Sequence, residues 1–131
     1  MIVGVPTETK TREYRIGINP GGVQMLTRRG HQVRVQRGAG LGSGISDDDL
    51  ARAGATIVDS AAEAWASELV IKVKEPLPHE FQYFRSDLVL FTYLHLAAEP
   101  ELTRALVDSG VRGIAYETVQ RGDGTLPLLR P

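Results

Sequence analysis

Apolar residues in this chain fall into short runs, separated by segments where they recur at helical spacing, and glycine, proline or a capping residue marks each switch. The first run, Met1–Val5, is rich in Ile and Val and stops at Pro6, which predicts a strand. Thr7–Tyr14 is polar and aperiodic, so a charged loop leaves the end of that strand. Pro20 suits a first helical turn, Val23, Leu26 and Thr27 follow at helical spacing, and Gly30 supplies the stop. His31–Gln36 alternates around Val33 and Val35 as a second strand, and the glycine-rich stretch Gly38–Gly44 is expected to form no helix. Ser46 is an N-cap followed by Asp47, Asp48 and Asp49, where a helix dipole favours negative charge, and Gly54 ends that short helix. Ala55–Val58 reads as a strand and Ser60 as the cap of a helix through Trp65. Leu69–Val73 and Asp87–Leu94 are further apolar strands, the second followed by a helix over Glu99–Ser109 that Gly110 stops. Val111–Tyr116 is the last clear strand.

Continuously apolar strands separated by amphipathic helices predict an α/β fold: three layers, a mostly parallel sheet, and helices on both faces, flavodoxin-like or Rossmann-like. No repeat or low-complexity tract interrupts the pattern. The tail, Gln120–Pro131, is turn-forming, and its Leu126, Leu128 and Leu129 are expected to pack against their own domain or against chain that follows.

Composition narrows the function classes. A length of 131 residues with 42% hydrophobic and 24% charged residues fits one domain with one core. There is no cysteine, which excludes disulfides, thiolate metal sites, iron–sulfur clusters and a thiol nucleophile, and which agrees with a cytoplasmic protein. The three histidines are scattered and form no metal motif; His31 and His79 read as surface residues. A net charge of −1 and few aromatic residues argue against a nucleic-acid partner. No apolar run reaches the ~18 residues of a membrane span, and the N-terminus lacks a signal peptide's order of residues. Charge is uneven, however: residues 1–40 carry seven Lys or Arg against two Asp or Glu.

Ligands of open parallel sheets lie beyond the carboxyl ends of the strands. Three polar landmarks fall there: Arg15 in the loop after the first strand, Lys74 just after Leu69–Val73, and His95 just after Asp87–Leu94. A guanidinium and an ammonium together suit a carboxylate, and an imidazole moves protons near neutrality. Each also has an ordinary reading, as solvated surface cations and as a satisfied buried histidine. Gly38–Gly44 follows a strand and precedes Asp59 by about twenty residues, as a dinucleotide fingerprint asks. Ser43 stands where the third glycine belongs, and three aspartates would repel pyrophosphate at the following helix, so the segment is expected to be a structural turn. Neither a P-loop nor a Gly-x-Ser-x-Gly elbow is present.

Gly4-Val5-Pro6-Thr7-Glu8-Thr9-Lys10, with Glu13, Arg15, Pro20, Val23, Leu26 and Gly30, resembles the opening signature of the alanine dehydrogenase and pyridine nucleotide transhydrogenase family. Similar too are Gly38-Ala39-Gly40 with Ile45-Ser46-Asp47, Ala53-Gly54-Ala55, Lys72-Val73-Lys74-Glu75-Pro76, Leu90–Ala97 and Ala115-Tyr116-Glu117-Thr118-Val119, so the resemblance runs from end to end. The sequence departs from the signature at Arg12, where asparagine is usual, at Ile16-Gly17, and at Asn19 in place of a small hydroxyl residue. Lys74-Glu75-Pro76 and Leu94-His95-Leu96 look like the alanine dehydrogenase branch.

The resemblance implies a parent enzyme that interconverts L-alanine with pyruvate and ammonia by NAD-linked hydride transfer, as a homo-oligomer, commonly a hexamer. Arg15 would clamp the substrate carboxylate, Lys74 would bind and polarise its oxygens, and His95 would carry the proton. It also implies that residues 1–131 are an N-terminal substrate domain, incomplete at its C-terminus, with residues 120–131 approaching an inserted NAD-binding domain that this chain lacks. The fragment alone is then expected to be inactive, with no cofactor-binding residue and no metal site. The alternatives are a soluble segment of a proton-translocating transhydrogenase and a non-catalytic ligand-binding or interaction domain.

Overall fold

A computed structural model describes residues 1–130. Its six strands are β1 (Ile2–Val5), β2 (Gln32–Gln36), β3 (Thr56–Val58), β4 (Leu69–Ile71), β5 (Val89–Thr92) and β6 (Arg112–Ala115). They form one sheet in the order β3-β2-β1-β4-β5-β6, with every neighbouring pair parallel. The expected mostly parallel sheet is thus wholly parallel, and of the two expected variants its order is the Rossmann-type one.

Four α-helices connect the strands: α1 (Pro20–Arg28), α2 (Asp47–Arg52), α3 (Ala61–Trp65) and α4 (Pro100–Ser109). Period-two alternation divides the strands between two cores. Val3, Val5, Val33 and Val35 pack with Val23 of α1 and Leu50 of α2, whereas Val70, Leu88 and Leu90 pack with Trp65 of α3 and with Leu102 and Leu106 of α4. Helices therefore lie on both faces, although the α1–α2 cluster takes in no residue of β5 or β6. Ile114 on β6 is accordingly 45% exposed.

Local chemistry explains the boundaries. Asn19 caps α1 by accepting the Gly22 N–H at 2.8 Å, so it does the work expected of a hydroxyl there. Ser46 with Asp49, and Ser60 with Glu63, form reciprocal capping boxes at α2 and α3. Two expectations need correction. The glycine stretch includes one 3-10 turn, Leu41–Ser43, because single tight turns tolerate glycine better than an α-helix does, and Pro78–Tyr83 is an unanticipated 3-10 helix. Strands β4 and β5 also stop short of their apolar runs, since side chains capture backbone N–H groups beyond them, and β6 gives way at Tyr116 to a 3-10 turn, Tyr116–Thr118. The tail turns back on the domain: the Tyr93 hydroxyl donates to the Leu128 carbonyl at 2.8 Å, while Leu128 and Leu129 stay over 40% exposed.

Gly4 permits the closest approach between layers. A Cβ there would lie 1.9 Å from the Ala64 carbonyl oxygen and 2.7 Å from the Ser67 hydroxyl, so α3 can cross β1 only above a glycine. Gly4→Ala is expected to destabilise the domain by about 1–3 kcal/mol through overpacking, as a lower urea midpoint at unchanged slope.

Candidate functional site

The sheet order reverses beside β1, with β2 and β3 on one side and β4, β5 and β6 on the other. Loops leaving the carboxyl ends of β1 and β4 therefore diverge and leave a crevice, and β5 brings its own loop alongside. Arg15, Lys74 and His95 all sit on this edge, as connectivity predicted.

His95 is held from several directions. Its backbone takes a left-handed conformation, φ 51°, one of two such non-glycine residues among those described. The Glu117 carboxylate enforces this by accepting the His95 N–H at 2.7 Å and the Leu94 N–H at 3.0 Å. Burial pushes the Glu117 carboxyl up, but these N–H donors and the nearby imidazole hold it below its ordinary value. The imidazole stacks on Tyr93 with ring centres 5.8 Å apart, and its Nδ1 lies 3.2 Å from Glu75 Oε2. Glu75 is 2% exposed, and its other oxygen pairs with the Lys10 ammonium. Burial raises the Glu75 carboxyl, and the Lys10 hydrogen bond and charge outweigh it, so it too lies below its ordinary value.

Arg15 reaches the crevice with its fork partly filled. Its Nε donates to Glu13 Oε1 at 2.8 Å and a terminal nitrogen to Oε2 at 2.7 Å; Oε1 also accepts the Arg15 backbone N–H at 2.9 Å. That hydrogen bonding lowers the Glu13 carboxyl from 4.5 to about 2, with help from the Lys74 charge. A cavity of about 170 Å³ adjoins this pair, between the β1 loop and the glycine stretch. Lys74 is half-buried, and among the described residues its ammonium has no ion-pair partner; its backbone N–H donates to Glu8 at 3.2 Å.

Residue types alone did not disclose the framework beneath these groups. Lys72 is 1% exposed, with its ammonium 3.0 Å from Glu80 and 3.3 Å from Glu8. Glu8 also accepts the Val73 N–H at 2.6 Å, and the Tyr116 hydroxyl donates to the Lys72 carbonyl at 2.8 Å. Burial, then the Glu8 and Tyr93 charges, raise the Tyr116 hydroxyl well above its ordinary value. A signal existed: Lys72 is in phase with buried Val70, so a lysine on the core face demanded carboxylates. His79 is exposed, as expected, but His31 is half-buried and its Nδ1 has no partner; it lies just before β2, with its backbone N–H bonded to the Leu26 carbonyl of α1. The glycine stretch is tied to α2: the Gly38 N–H donates to Asp47 at 2.8 Å, and the capping box of that helix engages the Ser46 and Asp49 N–H groups. No group of metal-ligating side chains occurs among the described residues, and none of their helices is long and apolar enough to cross a membrane.

Fold and crevice together define a doubly wound α/β domain whose switch-point crevice carries Arg15, Lys74 and His95. The family model described as "Alanine dehydrogenase/PNT, N-terminal domain" matches residues 4–131, and the chain belongs to that family. It is 58% identical over 131 residues to an alanine dehydrogenase of Bacillus subtilis and 56% identical over 132 residues to one of Mycolicibacterium smegmatis. In each case all of this chain is matched, and it spans only 34% and 36% of those relatives' lengths. Among solved structures, an L-alanine dehydrogenase superposes with a TM-score of 0.96 at 50% identity, over 98% of this chain and 36% of the other. A transhydrogenase from Sinorhizobium meliloti superposes less closely, with a TM-score of 0.86 at 30% identity over 92% of this chain and 36% of the other.

Two consequences can be measured. Lys72→Met leaves Glu8 and Glu80 buried without their cation, and is expected to cost about 3–5 kcal/mol in urea unfolding at neutral pH. Glu13 has a depressed folded-state pKa, so its stabilisation is complete above its ordinary value of 4.5 and disappears as pH falls through about 2. The stability difference between wild type and Glu13→Gln should therefore shrink across that window, and carboxyl titration by NMR should place the Glu13 midpoint near its foot.

Proposed function

We propose that this chain is the substrate-gripping N-terminal part of an L-alanine dehydrogenase, which interconverts L-alanine with pyruvate and ammonia by reversible NAD-linked oxidative deamination. The observation that carries this reading is the grouping, at one switch-point crevice, of two cations suited to a carboxylate and an imidazole held by a buried carboxylate. The proposal includes a homo-oligomeric, cytoplasmic parent enzyme. Lys74 and His95 favour it over a transhydrogenase segment, which has no amino acid to process.

The described residues do not fit NAD. The one glycine-rich turn has its first N–H bonded to Asp47, and the next helix opens with three aspartates, so a pyrophosphate would meet negative charge where it needs donors. The cofactor is assigned to chain beyond these residues, and none of their steps depends on it.

What this chain supplies is grip and proton transfer. Arg15 and Lys74 hold the substrate carboxylate, Arg15 by directed N–H groups and Lys74 by its unpaired charge. Lys74 also stabilises the oxygen that develops at the α-carbon. Because the Glu75 carboxylate only accepts, His95 presents a protonated Nδ1 to it and keeps Nε2 for the crevice. From the iminium of alanine, water adds to the α-carbon and gives its proton to Nε2. The imidazolium then protonates the nitrogen, ammonia leaves as the hydroxyl proton passes back to Nε2, and transfer of that proton to ammonia yields pyruvate, ammonium and the neutral imidazole.

The test is alanine-dependent NAD reduction by the complete gene product. Wild type is expected to turn over, His95→Asn to lose about 10²–10⁴-fold in kcat/KM, and Glu75→Gln to lose about tenfold or more with a displaced acidic limb in its pH profile. Absence of alanine-dependent turnover in the wild-type product would refute the assignment.

A further inference from the structure

We propose that Glu13 is a positioning residue for substrate recognition: it grips one edge of the Arg15 guanidinium and thereby presents the other edge to the substrate carboxylate. The inference deepens the dehydrogenase reading and rests on it.

A guanidinium carries five N–H groups in a rigid plane, enough for two parallel carboxylate pairs on different edges. Glu13 takes the side edge, through Nε and one terminal N–H, at 2.8 and 2.7 Å. No other acceptor touches the guanidinium among the described residues, so the end edge, formed by both terminal nitrogens, stays open. Burial is asymmetric: the Glu13 side chain is 7% exposed and that of Arg15 61%. The carboxylate is therefore the fixed member, further tied by the Arg15 backbone N–H at 2.9 Å, and the guanidinium is the presented one. The open edge has somewhere to point. The cavity of about 170 Å³ beside the pair is lined by Thr7, Glu8, Tyr14 and Gly38, and the buried Thr7 hydroxyl has no partner.

The same contact could instead be a latch, with Glu13 occupying the place of the substrate. Displacing it would break three hydrogen bonds and leave a nearly buried carboxylate without its cation, whereas the open edge accepts a carboxylate at neither cost. Geometry thus favours aiming over blocking.

Glu13→Gln separates the two. An amide offers one oxygen to the fork and sets an NH₂ against the second N–H, so the plane is released while the side-chain volume is kept. In the complete gene product, the KM for pyruvate is expected to rise about tenfold or more, with kcat changed less than about threefold and the KM for ammonium unchanged. Glu13→Asp, which restores the charge on a shorter arm, should recover part of the loss. A KM for pyruvate that falls in Glu13→Gln would establish the latch, and an unchanged KM would reduce the pair to a surface contact; either overturns the proposal. An NMR titration with pyruvate reads the geometry without turnover. The Arg15 Nε–Hε signal should persist at its paired position in wild type at saturation and lose that position in Glu13→Gln. Wild type that binds pyruvate with this signature but does not turn over alanine would fail the dehydrogenase reading while leaving the Glu13 assignment standing. Displacement of the wild-type Nε–Hε signal to an unpaired position on binding would overturn the assignment.

Discussion

The carboxylate of Glu8 joins the two halves of the crevice. It leaves β1 in a charged loop, crosses the switch point, and accepts the Val73 and Lys74 N–H groups at the end of β4 while pairing with the buried Lys72 ammonium. A loop made of polar residues has no apolar reason to lie down on the sheet, so its position has to come from such bonds. An ammonium as buried as Lys72 is tolerable only with close carboxylates, and Glu80 completes the set. Lys10, Glu13 and Arg15 follow Glu8 in the chain, and Lys74 and Glu75 follow Lys72. Both walls of the site are thus registered by one ionic cluster.

The same economy recurs around the crevice. Each carboxylate holds a specific group: Glu75 the imidazole and Lys10, Glu13 the Arg15 fork, Glu117 the backbone at residues 94 and 95. Lys74 is the cation left over, half-buried beside them. Charge-assisted bonds in a poorly solvated setting are strong and directional, so the fold itself holds the imidazole and the guanidinium in place. The left-handed backbone of His95 belongs to this arrangement: strain at one residue aims its ring, and the Glu117 contacts sustain it.

Much of the architecture was legible because its signals are local. Alternation placed Val33 and Val35 on one face, Ser46 and Ser60 announced helix starts, and Gly30, Gly54 and Gly110 announced turns, all at φ values above 70°. Apolar continuity overstated β4 and β5, because it measures burial and cannot register a carboxylate that takes an N–H just beyond the ladder. Arg12 is another case. It holds φ 65°, a conformation asparagine tolerates better, so the asparagine usual in the family signature has a conformational reason that the substitution to arginine does not share.

The sequence by itself determined the order of strands and helices, the parallel sheet, and the edge on which Arg15, Lys74 and His95 would emerge, because hydrophobic period and connectivity are properties of neighbouring residues. Only the tertiary structure decided which carboxylate serves which cation. Glu8 meets Lys72 across 64 positions and Glu75 meets Lys10 across 65, and nothing in local spacing encodes such partners. They are selected by desolvation: once folding buries the ends of β1 and β4, each charge taken from water must find its opposite within reach.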